Sequence, residues 1–186
     1  YYTPVVTTGT LAERWKVKIV QKQTASLNVE TCYIYDFGGR LAQTHAKDTG
    51  RSRVIVSSVE YDALGRQSKT YKPINLTETG SVFCTYQPPS GLYAETQYDS
   101  LGRVKKVIFT DGNYTTTTYG INSVNVTDES GNSTISYYDG YGNLERVIDD
   151  NGSTFSATYD FYGNVKRVSV TGTGYNDYEL SSAIYP

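Results

Sequence analysis

A chain of 186 residues with a net charge of −2, nineteen Tyr, seventeen Gly and no Met has the size of one moderate domain and a residue balance suited to strands and turns rather than helices. The near-zero charge argues against a nucleic-acid partner, which needs a basic stripe, and no apolar run approaches the roughly 18 residues of a membrane-spanning helix. Leu, Ile, Val and Phe together make only about a fifth of the residues, so Tyr has to supply ring area to a core that is thin or shared.

In chain order, residues 1–9 are rich in Thr and Val and read as an edge strand or the tail of a preceding unit. The opening Tyr-Tyr-Thr-Pro, without an initiator Met, suggests an excerpt from a longer polypeptide. From Arg14 to Lys18 the alternation puts Trp15, Val17 and Ile19 on one face and Arg14, Lys16 and Lys18 on the other, which predicts a half-buried strand. A helix over 11–22 is the rival reading, because Leu11, Trp15 and Ile19 stand four apart. From Asn28 onward the chain becomes a meander of short strands and turns. The resulting division is 1–31 as N-terminal strands or the end of a preceding repeat, 32–174 as a hairpin array, and 175–186 as a connection to a following unit.

One phrase recurs through the array. It reads YDFGGR at 35–40, YDALGR at 61–66, YDSLGR at 98–103, YDGYGN at 138–143 and YDFYGN at 159–164. Asp followed three residues later by Gly suits a type I turn closed by a left-handed glycine, a common hairpin loop. The structural turn residues are Tyr35, Asp36, Gly39 and Arg40; Tyr61, Asp62, Gly65 and Arg66; Tyr98, Asp99, Gly102 and Arg103; Tyr138, Asp139, Gly142 and Asn143; Tyr159, Asp160, Gly163 and Asn164. In that geometry each Asp faces the Arg or Asn four residues on, and each Tyr lays its ring on the sheet.

Shorter Asp/Asn-Gly turns fall between these copies, at 111–112, 128–131 and 151–152. Tyr119-Gly120 reads as a degraded tyrosine turn. Before the turns the strands alternate well, with Phe155, Ala157 and Tyr159 on one face; after them Val165, Val168 and Val170 fall on both faces. A bulge, or partial cover on both sides of the sheet, accounts for the break. A hairpin of about 20 residues cannot bury its own face, so neighbours must stack, with equivalent Tyr forming a ladder.

These five copies closely resemble the YD-repeat, or Rhs-repeat, family over residues 32–173. The resemblance implies a strip of β-hairpins spiralling into a hollow shell, with the YD turns structural; in toxin members the shell encloses a C-terminal effector. The proline- and aspartate-rich terminal motif, self-cleaving end and effector of those toxins have no counterpart in these residues.

Other chemistry is sparse. Cys32 and Cys84 both fall in predicted strands, and two readings stand: a disulfide, or two buried free thiols. His45, the one histidine, is expected to face solvent near the turn at 47–50. Isolated turn aspartates lack the further oxygen ligands of a calcium site, and adjacent carboxylates such as Asp128/Glu129 and Asp149/Asp150 read as solvated turn residues rather than a glycosidase pair. Asn75, Asn113, Asn125, Asn132 and Asn151 head Asn-x-Ser/Thr sequons, candidate glycosylation sites in a secreted protein.

The fold expected is all-β: an antiparallel hairpin meander forming part of a coiled β-sheet shell or a solenoid-like fibre. The expected function is a non-enzymatic, secreted or cell-surface structural module without a cofactor or metal. Its partners are neighbouring repeats of the same or a longer chain, including self-assembly into a filament. Exposed Tyr leaves a glycan- or cell-surface-binding adhesion module as one alternative, and the encapsulating wall of an Rhs-type toxin is another. Neither nucleic-acid binding nor membrane insertion is expected.

Overall fold

The structure, a computed structural model, describes residues 2–3, 15–22, 28–48, 50–172 and 178–181. Among them every regular element is a strand and the strand pairings are antiparallel, as a chain of β-branched and aromatic runs broken by glycine turns dictates. The chain forms two compact units, Tyr1–Thr96 and Gln97–Pro186, divided within one strand.

The first unit holds β1 (Tyr2–Thr3), β2 (Lys16–Lys22), β3 (Asn28–Tyr35), β4 (Leu41–Asp48), β5 (Arg53–Tyr61), β6 (Gln67–Tyr71), β7 (Ile74–Thr77) and most of β8 (Tyr93–Tyr98). Strands β1 to β6 pair in sequence order. Besides β4, long β5 serves two further partners, β7 along its first half and β6 along its second, and β8 then pairs with β6.

The register aligns Lys18, Cys32, His45, Val56 and Ile74 in one row across five strands, and Lys16, Ile34, Gln43 and Ser58 in the next. Residues directly opposite on paired strands share a face, and this face holds the core: Cys32, Ile34, Gln43, His45, Val54, Val56 and Ser58 are all buried. The strand reading of the segment beginning at Arg14 holds over Lys16–Lys22, but its inner face is the reverse of the one expected. Lys16 and Lys18 stand on the covered side, Val17 and Ile19 on the other, and Trp15 is 63% exposed. Lysine manages this because its stem lies along apolar surface while the ammonium reaches a charged partner, here Glu30 at 3.3 Å from Lys18.

The second unit continues the meander with the end of β8, then β9 (Val104–Phe109), β10 (Tyr114–Tyr119), β11 (Ser123–Thr127), β12 (Ser133–Tyr138), β13 (Leu144–Ile148), β14 (Thr154–Tyr159), β15 (Val165–Thr171) and β16 (Tyr178–Ser181). From β9 to β16 each strand pairs with the next. Among its described residues Ala157 is the one buried hydrophobic residue, so this unit is a sheet with little core of its own. Residues 4–14 and 182–186, parts of the expected N-terminal strand, rival helix and C-terminal connection, lie outside the described residues.

The blurred alternation after four of the five tyrosine turns has a definite cause. Ladders slip at Ile34/Tyr35, Glu60/Tyr61, Tyr137/Tyr138 and Thr158/Tyr159. Tyr159 pairs with Val165 while Thr158 pairs with Arg167, so Lys166 is the extra residue of a bulge. The same slip recurs at Ala42, Ser68 and Glu145.

Candidate functional site

Seven turns share one geometry, centred on Asp36, Asp62, Asp99, Asp128, Asp139, Asp149 and Asp160. In each, the Asp amide donates to the carbonyl four residues on and the Gly amide donates back to the Asp carbonyl. The carboxylate oxygen Oδ1 accepts from the backbone amides two and four residues on: at Asp139 these are Tyr141 and Asn143, both at 2.9 Å. The fourth residue takes the left-handed conformation, as at Gly142 with φ 87°. Asp128 and Asp149 lack a preceding Tyr, yet their turns match, and the turn at 109–113 makes the same two backbone bonds with Phe109 in the Asp position, so Gly sets the backbone path, Asp reinforces it and Tyr is an addition.

The second carboxylate oxygen, Oδ2, meets the last side chain of the phrase. Arg40, Arg66 and Arg103 donate Nε to Asp36, Asp62 and Asp99 at 2.7–2.8 Å. Asn143 and Asn164 place Nδ2 at 2.9 and 3.0 Å from Asp139 and Asp160. The Asn143 side-chain bond, together with the Asn143 and Tyr141 amides and against slight desolvation, holds Asp139 below the usual carboxylate range; Asp160 is lowered in the same way by Asn164. Partial burial pushes Asp36 upward, but the Arg40 amide and guanidinium outweigh it.

Three tyrosines each link a turn to the tyrosine turn before it. The Tyr61 hydroxyl donates to the carbonyl of Leu41 at 2.8 Å, Tyr119 to Val104 at 2.9 Å and Tyr159 to Leu144 at 2.8 Å. In every case the acceptor is the residue directly after the previous phrase. The Arg ending that phrase then covers the ring: Arg40 sits 4.6 Å from the Tyr61 centroid and Arg103 4.1 Å from that of Tyr119. Tyr119, whose own turn is shortened to Gly120-Ile121-Asn122, keeps the full linking role.

In the second unit consecutive hairpins alternate between two rims. The tyrosine-turn rim presents Leu101, Ile121, Tyr141, Phe161 and Tyr162 to solvent. The opposite rim carries Asp111, Asp128, Glu129, Asp149 and Asp150. Three sequon residues, Asn113, Asn132 and Asn151, lie on this acidic rim, where each Nδ2 donates to a turn aspartate. Asn75 lies in β7 and Asn125 in β11, the latter with Oδ1 buried and unpartnered. Between the turns at 139–143 and 160–164 is a groove of about 300 Å³, lined by Asp139, Tyr141, Asn143, Tyr159, Asp160, Phe161, Tyr162 and Gly163.

The first unit has a cap. The segment after β7 folds back over the inner face and is stapled there by a Cys32–Cys84 disulfide. Cys84 lies in a turn with φ 62°, outside any strand, contrary to the sequence expectation. The ammonium groups of Lys18 and Lys47 both lie 5.4 Å from the Phe83 ring centroid and share Glu30. Gln43 grips the backbone of Gln87 from both sides, accepting its N–H at 3.0 Å and donating to its carbonyl, and also donates to Ser58.

His45 is fully buried beneath this cap, which overturns its expected place at the surface. Its position on β4 puts it on the inner face, and a fold-back from residues over 30 positions away supplies the cover. Nε2 stands 3.2 Å from the Gln43 side-chain oxygen, while Nδ1 faces the Val82 backbone without a well-formed bond. Burial, assisted by Lys16, holds the imidazole below its ordinary pKa against the opposing Val82 backbone and Glu78.

A meander of Asp-Gly hairpins linked through tyrosine, its first unit closed by a stapled cap, is thus the class of protein defined here. Residues 7–107 match the family described as a domain of unknown function, DUF6443, and the chain belongs to that family. No curated protein matches it. Its fold is shared with solved Tc toxin structures. One, the crystal structure of TcdB2-TccC3-Cdc42, is 21% identical with a TM-score of 0.66 over 82% of this chain. The crystal structure of TcdB2-TccC3 is 21% identical with a TM-score of 0.65 over 82% of it. A Photorhabdus luminescens Tc holotoxin pore with a TccC3 variant is 20% identical, with a TM-score of 0.63 over 82%. This chain spans about a tenth of the length of each of those chains: 10% in all three cases.

Proposed function

We propose that this chain is a non-enzymatic segment of a longer YD-repeat strip, built as the wall of a secreted shell. The observation that carries the reading is the linkage from turn to turn: each linking tyrosine bonds the backbone beside the previous tyrosine turn, so cohesion runs along the strip. The second unit, with Ala157 as its one buried hydrophobic among described residues, gains from neighbouring rungs what a separate core does not supply. The shared fold with far longer Tc toxin chains and the five tyrosine turns support a wall over an open fibre. The Cys32–Cys84 disulfide fits an oxidising compartment and hence export. Electron microscopy of the natural full-length protein tests this: hollow closed particles are expected, and solid particles or unbounded filaments contradict the proposal.

A further inference from the structure

Four of the five tyrosine turns fall into two sets that differ at two positions together, and the first, YDFGGR, shares the closing Arg but has Gly38 at the tip. Upstream, YDALGR and YDSLGR carry Leu at the tip and Arg at the end; downstream, YDGYGN and YDFYGN carry Tyr at the tip and Asn at the end. The change has a consequence at the next tyrosine. Where the phrase ends in Arg40 or Arg103, its guanidinium covers the ring of Tyr61 or Tyr119 while bonding Asp36 or Asp99. Asn143 satisfies Asp139 with a short neutral amide, which brings no positive charge to the ring of Tyr159. Tyr159 still bonds the Leu144 carbonyl, so the linkage is intact, and among the described residues no cation covers its ring. The groove stands at that place, with Asn143 and Tyr159 both in its wall.

The rest of the lining suits a positive charge. Tyr141, Phe161 and Tyr162 are 91%, 92% and 86% exposed, and Phe161 meets Tyr162 edge-on with centroids 5.7 Å apart. Asp139 and Asp160, both lowered in pKa and so ionised at neutral pH, border the same space and are partnered by amides rather than guanidinium groups. Four aromatic rings with two carboxylates form the chemical environment that takes up guanidinium and alkylammonium groups.

We propose that the groove between the turns at 139–143 and 160–164 is a binding site for an organic cation, filled from outside by the kind of group that Arg40 and Arg103 supply from within. Two sources share this chemistry, an arginine side chain of a peptide and a small free quaternary ammonium, and they are separable by titration. This site is independent of the wall reading, because it depends on the turn pair alone.

The test is an NMR titration of the whole chain with N-acetyl-arginine amide, N-acetyl-citrulline amide and choline. Arginine amide is expected to give saturable shifts at the amides of Gly142, Asn143 and Gly163 and at the Asn143 side chain, with citrulline amide, equal in shape and uncharged, at least tenfold weaker. Choline binding alongside arginine adds a free cation as a ligand, and choline failing where arginine binds assigns a peptide guanidinium; either upholds the cation site. Asn143→Arg should refill the slot from within, moving the Tyr159 ring resonances and abolishing arginine binding. Tyr162→Ser, at an exposed tip with no structural duty, should weaken binding at least fivefold while leaving the spectrum folded. Equal shifts from arginine and citrulline, no saturable shift at all, unchanged binding by Asn143→Arg, or a neutral oligosaccharide saturating the site in place of arginine would each overturn the assignment.

Discussion

Replacing Tyr159 by Phe removes one atom from a linkage and leaves the ring, which makes it a clean perturbation. Its hydroxyl donates to the Leu144 carbonyl at 2.8 Å in a partly buried setting. A neutral hydrogen bond of this kind contributes about 0.5–1.5 kcal/mol net. For a unit the size of Gln97–Pro186, each kcal/mol lowers the melting temperature by about 4–8 °C. Tyr159→Ala also removes a half-buried ring; about 100 Å² of lost burial adds roughly 2.5 kcal/mol. Tyr141 supplies the control, since its ring is 91% exposed, and Tyr141→Phe should stay within about 0.5 kcal/mol of the parent. The assay is urea unfolding by circular dichroism with amide exchange read along β13 to β15. If Tyr159→Phe and Tyr141→Phe prove indistinguishable, the tyrosine linkage contributes no measurable cohesion and the reasoning fails.

Three further outcomes follow from the geometry. Reducing the Cys32–Cys84 bond, which spans a sequence separation of 52, should cost the first unit about 4 kcal/mol from the entropy of the unfolded chain, measured by denaturant titration with and without reductant. Within one turn, Gly142→Ala should destabilise by about 1–2 kcal/mol because its φ is 87°, whereas Gly140→Ala should be near neutral; both have open space for the new methyl, so calorimetry isolates the backbone term. His45 is held neutral by burial, so below the unfolded pKa of about 6.5 the unfolded chain binds the extra proton. Its contribution is fully present above that pH and is lost as pH falls toward the lower folded value. The melting temperature of the first unit should therefore decline over that window in the parent and stay flatter in His45→Gln.

The turns were legible because their chemistry is local. Asp and Gly three apart mark the loop, and the Arg or Asn at the end of the phrase lies within reach of the same carboxylate. Sorting turns by their tyrosine separated the loops at 128–132 and 149–153 from the others, although the Asp and Gly that shape them stood in plain view. The bulges were visible only as a broken alternation, since one extra residue shifts a pattern without naming its own position. The inner face of β2 was misread because period alone favours Val17 and Ile19. The face is chosen by a cap that arrives from residues 78–91 and is fixed through Cys84, a long-range event with no local signature. His45 was misplaced for the same reason. The cation slot at Asn143 was present in the sequence as a paired change of Leu to Tyr and Arg to Asn, but its meaning required knowing that Arg103 lies over Tyr119.

The most direct test of a strip held by its rungs is an internal deletion in register. Removing residues 123–143 joins the turn at Asn122 to Leu144 and takes out β11 and β12 with the loop between them. The account predicts a folded sheet whose amides in β9, β10 and β13 to β15 remain protected from exchange, with the Tyr119 to Val104 and Tyr159 to Leu144 linkages, one on each side of the junction, retained. General loss of protection throughout the second unit would show that its strands depend on one indivisible core, and would contradict it.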